Sequence, residues 1–168
     1  MIQIVEKRQD ISTQKISVIL NSYYIYPEFF FNANRNIRIH MSTVKRKILV
    51  VDDSTTNVVL LEAVFSSKGY MILTALSAIE AFSIIKKEKP AIVLLDLNMP
   101  EISGFDFLAQ LKANEETADI PVVIVSALVD ELNINRALSM GATAFINKPI
   151  DIPVLLNTVS GLLQIQNT

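Results

Sequence analysis

The run AIVLLDLNMPEISGFD, residues 91–106, decides the fold. It opens as an apolar stretch, places an acid at Asp96, then delivers Asn98, Pro100 and Gly104 before apolar content resumes. A short apolar run of this kind reads as a strand buried on both faces, and burial on both faces implies a parallel sheet. A charge at the end of such a strand is costly unless something compensates it. Asp96 therefore calls for a cation nearby.

Four further runs share this character: KILVVD (47–52), MILTA (71–75), PVVIVS (121–126) and AFIN (144–147). Between and after the five runs lie amphipathic stretches of helical length at about 55–68, 77–88, 105–113, 129–140 and 151–165, with Gly69 and Gly141 as stop signals. Strictly alternating strands and helices of these lengths make a doubly wound α/β fold with a five-stranded parallel sheet.

Composition narrows the function classes. The 168-residue chain has 19% charged residues, 51% hydrophobic residues and a net charge of −2, the profile of a soluble globular domain and not of a nucleic-acid binder. There is no Cys and one His, His40, which excludes disulfides, thiolate zinc sites and His-based catalysis within a folded domain. No apolar run approaches the ~20 residues of a membrane helix. KISVIL near the N-terminus is too short for a signal-peptide core, and a cytoplasmic location is expected.

Residues 1–46 differ from the rest and are expected to be an extension, disordered or an over-extended gene start. YYIYPEFFF (23–31) carries 6 of the 12 aromatic side chains with no clear period, and Ile, Asn, Tyr, Phe and Lys fill 20 of residues 1–40 against 36 of the 128 that follow. These are residues of A/T-rich codons, so translated upstream sequence with Met41 as the natural initiator is the reading, and a partner-binding or packing arm is the alternative.

In doubly wound folds ligands bind beyond the carboxyl ends of the strands. Asp52 and Asp53 follow the first strand, Asp96 ends the third, Ser126 ends the fourth and Lys148 stands just past the fifth. Singly, each has a plain explanation: Asp53 with Ser54, or Ser126, as a helix cap, Asp96 as a turn residue, Lys148 as a solvated charge. Independent caps, however, have no reason to bring three carboxylates, a hydroxyl and an ammonium to one edge. Three close carboxylates repel unless a cation sits among them, and oxygen ligands without His or Cys select Mg²⁺, or Mn²⁺. Three carboxylates, Mg²⁺ and Lys148 sum to zero charge, which leaves Asp96 ionised and able to accept a phosphoryl group as an acyl phosphate.

The blocks ILVVDDS, LLDLNMPEISGFD, VSA and INKP, in this order across residues 47–168, resemble response-regulator receiver domains, chemotaxis-type receivers among them. The resemblance implies a flavodoxin-like (βα)5 fold with strand order 2-1-3-4-5 and a single-domain response regulator of a two-component or phosphorelay system. It implies Asp96 as phosphoacceptor from a histidine kinase or histidine phosphotransfer protein. Asp53, Asp96 and the carbonyl of Asn98 would bind Mg²⁺, with Asp52 acting through water. Lys148 would pair with the phosphoryl oxygens across a cis Lys148–Pro149 bond, Ser126 would donate its hydroxyl, and the small Ala127 would leave the phosphoryl room. Ser126 and Phe145 would form the switch, and Leu128, unable to orient a water, implies slow autodephosphorylation. The implied partners are that phosphodonor and a downstream protein target, met by a monomer or a phosphorylation-dependent dimer, with no direct nucleic-acid or membrane contact. On this reading the chain is no enzyme beyond its own phosphorylation and dephosphorylation.

Two alternatives stand beside it. A haloacid-dehalogenase-like phosphatase also uses Mg²⁺ and a phosphorylated Asp, but wants its nucleophile on the first strand with an acid two residues on. A non-phosphorylated receiver-like binding module would not need all five site residues. Finally, VVLLEAVF (58–65) is apolar except at Glu62, more than one core-facing stripe requires, which leaves deeper burial or a docking face for the phosphodonor's helices.

Overall fold

The computed structural model describes residues 45–165. Its elements alternate strictly: β1 (Lys47–Val51), α1 (Thr55–Ser66), β2 (Met71–Ala75), α2 (Ala78–Glu88), β3 (Ile92–Leu95), α3 (Gly104–Ala113), β4 (Val122–Ser126), α4 (Glu131–Ser139), β5 (Ala144–Asn147) and α5 (Ile152–Ile165). The extension expected over residues 1–46, with Met41 as initiator, lies outside the described residues except for its last two.

All neighbouring strands pair in parallel, in the order β2-β1-β3-β4-β5. Side chains alternate across a strand, so the apolar runs of β1, β3 and β4 feed two separate cores. On one face Leu49, Val51, Val93, Leu95, Val122 and Ile124 meet α2, α3 and α4 through Ala81, Ile85, Phe107, Leu108, Leu111 and Ala137. On the other, Ile48, Val50, Ile92, Leu94, Val123 and Val125 meet α1 and α5 through Val58, Leu61, Phe65, Leu155, Val159 and Leu163. Each fully buried aliphatic side chain contributes roughly 1.5–3 kcal/mol, so the central strands anchor whatever projects from their ends.

The excess apolar content of α1 is not explained by burial. Val58, Leu61 and Phe65 face the core, whereas Val59 is 62% and Leu60 45% exposed. Gly69 and Gly141 close the loops after α1 and α4 with φ of 85° and 96°, conformations that L-residues avoid. At α2 the same left-handed role falls to Lys89 (φ 47°).

Candidate functional site

Register builds the site. Val51 stands opposite Leu95 in the β1–β3 pair, so the next residues, Asp52 and Asp96, emerge side by side. The Asp96 amide still donates to the Val51 carbonyl at 2.9 Å, which ties the acid's backbone to the end of β1. On the other side Ser126 stands opposite Asn147, and the Lys148 amide donates to the Ser126 carbonyl at 2.9 Å. One residue past β5, the Lys148 side chain reaches back across the sheet edge.

Its ammonium donates to Asp52 Oδ2 and to Asp96 Oδ2, each at 2.8 Å. Both carboxylates are buried, at 2% and 6% exposure, so this pairing answers the cost of ending two buried strands in acids. Burial on its own lowers the Lys148 pKa, but the hydrogen bonds to Asp52 and Asp96 and their charges outweigh it, and the net shift is upward from the ordinary lysine value of 10.5. The ammonium stays charged at neutral pH.

Asp53 is exposed, and its carboxylate joins those of Asp52 and Asp96 in a cluster to which each contributes one oxygen within 4.8 Å of the other two. Three carboxylates against one ammonium leave the cluster at −2, the charge a divalent ion cancels. An all-oxygen donor set of this kind suits Mg²⁺ or Mn²⁺.

The loop after β3 is held from inside. Leu97 and Met99 are buried, Asn98 is exposed, and the Asn98 amide donates to Asp96 Oδ1 at 3.3 Å. Gly104 N–H donates to the Leu97 carbonyl at 3.0 Å. A Cβ on Gly104 would overlap the Asp96 carbonyl oxygen and sit 2.5 Å from Leu97 Cα. The glycine is therefore required by close approach of the chain to itself at the first residue of α3, where Ser103 caps the helix.

Ser126 is wholly buried, and its Oγ accepts from the Leu128 amide at 3.3 Å. It does not cap α4; Asp130 does, accepting from the Asn133 amide at 3.0 Å. Ser54 stands at the cap position of α1 but makes no side-chain cap bond. Its amide instead donates to Asp52 Oδ1 at 2.9 Å. Ala127 is exposed, Leu128 and Phe145 are half-buried against the core on the α2–α4 face, and the Lys148–Pro149 bond is cis.

One residue of the site escaped the sequence reading. Asn57, in the first turn of α1, donates through Nδ2 to both carboxylate oxygens of Asp52, at 3.1 and 2.9 Å. Its position five residues after Asp52, at the start of a helix that springs from the acid, is the signal that could have found it.

Fold and site together define a doubly wound α/β domain with an acidic, cation-competent edge bridged by one lysine. The family model of the response regulator receiver domain matches residues 48–160, and the chain belongs to that family, the receivers of two-component signalling. Protein PilH of Pseudomonas aeruginosa is 35% identical over 117 residues, covering 70% of this chain and 97% of PilH. The polar-differentiation response regulator DivK of Brucella ovis is 30% identical over 118 residues, 70% of this chain and 96% of DivK. Among solved structures, the signal receiver domain of a signal transduction histidine kinase from Syntrophus aciditrophicus superposes with a TM-score of 0.66 at 31% identity, over 71% of this chain and 90% of that one. The receiver domain of Francisella response regulator 1452 gives 0.68 at 26% identity, over 73% and 99%. Membership of this family sets the haloacid-dehalogenase alternative aside. Among the described residues no helix is long and apolar enough to cross a membrane.

Proposed function

We propose that the chain is a response regulator that accepts a phosphoryl group on Asp96 from a phosphohistidine of a histidine kinase or histidine phosphotransfer protein. It then signals by a conformational switch or hands the group on. The observation that carries this is the Lys148 ammonium held 2.8 Å from both Asp52 and Asp96, beside Asp53, at the carboxyl edge of the sheet.

In the reaction an oxygen of the Asp96 carboxylate attacks phosphorus, the new P–O bond forms as the P–N bond of the phosphoimidazole breaks, and the imidazole nitrogen keeps the electron pair. Lys148 neutralises charge on Asp96 beforehand and on the phosphoryl oxygens afterwards. Asp53, Asp96 and the Asn98 carbonyl would hold Mg²⁺ or Mn²⁺, with Asp52 acting through water, and the ion would supply the remaining positive charge.

Ser126 Oγ accepts from the Leu128 amide, which leaves its O–H free to donate, and on this reading the side chain shifts toward a phosphoryl group on Asp96. That movement vacates space which Phe145, half-buried on the adjacent strand, can enter. Such a rearrangement would reshape the surface of β5 and its neighbouring helices and carry the signal to a protein target. Ala127, small and exposed, leaves room for the phosphoryl group. The exposed Val59 and Leu60 on α1 suit the helices of the phosphodonor, and a cytoplasmic place belongs to the same reading.

The test is transfer of label from a ³²P-phosphorylated histidine phosphotransfer protein. Label should move to the wild-type chain and not to Asp96→Asn. Equal labelling of the two would refute the proposal.

A further inference from the structure

Asp52 is the most heavily bonded acid of the site. Its Oδ2 accepts from Lys148 Nζ at 2.8 Å, its Oδ1 accepts from the Ser54 amide at 2.9 Å, and Asn57 Nδ2 reaches Oδ1 at 3.1 Å and Oδ2 at 2.9 Å. Of these donors only Asn57 spans both oxygens.

Lys148 is shared with Asp96, and on the proposed function it must turn toward the phosphoryl group. Asp52 would then be left with the Ser54 amide and Asn57. A single N–H on one oxygen does not fix a carboxylate about its last torsion, which is broad for Asp. A donor that spans both oxygens does. Asn57 is also neutral, so it orients Asp52 without removing any of the −2 charge that attracts a dication.

We infer that Asn57 is a positioning residue for the cation site, holding the Asp52 carboxylate in the orientation that binds a hydrated divalent ion. This rests on the reading that Asp52, Asp53 and Asp96 bind that ion. Partners of a ligating or water-bridging carboxylate commonly govern metal affinity as strongly as this role requires.

The experiment is titration of the metal-free protein with Mg²⁺ by calorimetry and with Mn²⁺ by electron paramagnetic resonance, alongside its thermal midpoint without metal. Asn57→Leu keeps the branched shape, with a larger volume, and removes the N–H donors. Asn57→Ala removes both volume and donors. Asn57→His keeps an N–H at the same branch point. The Leu and Ala variants should bind either ion about tenfold more weakly, with His recovering to within about threefold of wild type. The metal-free midpoint should follow side-chain volume and not the presence of the donor, which separates positioning from a purely structural effect. Affinity of the Leu or Ala variant within about twofold of wild type overturns the inference while leaving the cation site standing. If wild type itself takes up neither ion, the reading of the acidic cluster fails, and the inference fails with it.

Discussion

The Lys148 ammonium lies 2.8 Å from a carboxylate oxygen of Asp96, 52 positions earlier in the chain. The same nitrogen is equally close to Asp52, so one side chain joins the ends of β1, β3 and β5. Removing it leaves two buried carboxylates facing each other without a cation. Lys148→Met should lower the metal-free stability by about 3 kcal/mol, the low end for breaking a buried ion pair because the lysine side chain is 17% exposed. Added Mg²⁺ should return part of it by replacing the lost charge. Urea denaturation with and without Mg²⁺ reads both effects, and a variant as stable as wild type would contradict the account.

Alkaline pH probes the same pairing with a definite sign. The folded pKa of Lys148 lies above 10.5, so the stability its ion pairs provide is complete below that value and is lost as pH rises through the higher folded value. Lys112 runs the other way. Burial holds its ammonium below 10.5, against the opposing charge of Asp119, while it donates to the carbonyls of Ala118 and Ile120 at 2.7 Å. As pH rises from its folded value to 10.5, its titration adds stability. Denaturation from about pH 8 to about pH 12 should show a constant difference between wild type and Lys148→Met up to pH 10.5 and a shrinking one above it. A difference that shrinks below pH 10 would contradict the upward shift.

Two glycines should respond oppositely to alanine. At Gly104 the new methyl would meet the Asp96 carbonyl oxygen and Leu97 Cα, so the loop carrying Asp96 must shift. A loss of roughly 2 kcal/mol is expected, with impaired phosphorylation of Asp96. At Gly161, within α5, nothing lies within 4 Å of the added carbon. Gly161→Ala should stabilise by about 0.5–1 kcal/mol through the unfolded chain. Thermal melts of the two variants decide it.

Leu128 stands two residues after Ser126, half-buried, with no group able to orient a water toward a phosphoryl on Asp96. Leu128→Glu should speed autodephosphorylation by about tenfold or more, as a positioned acid does for water attack. Decay of the phosphorylated protein after removal of the donor measures it, and an unchanged rate would refute the role.

How much of this the residues announced varies with the physics. An acid closing a fully apolar run is legible because burying an unpaired charge is so unfavourable, and Asp52 and Asp96 both stood out for that reason. Strand positions were legible because β1, β3 and β4 are apolar on both faces and have no helical alternative of that length. Asn57 was not, since an amide in the first turn of a helix resembles any surface polar residue until the fold turns it back onto Asp52. In SALVDELN both Ser126 and Asp130 can cap a helix; the choice fell to Asp130 because Ser126 ends a strand that the sheet buries completely. Val59 and Leu60 show the same limit, for apolar character alone does not tell a core position from an exposed one.

The most direct test of the central claim locates the phosphoryl group. The protein is incubated with acetyl phosphate and Mg²⁺, the acyl phosphate is reduced with borohydride, and the peptide containing residues 94–106 is sequenced by mass spectrometry. Homoserine at position 96 in wild type, and none in Asp96→Asn, is the predicted result. Reduction at another acid, or no reduced residue at all, would contradict it.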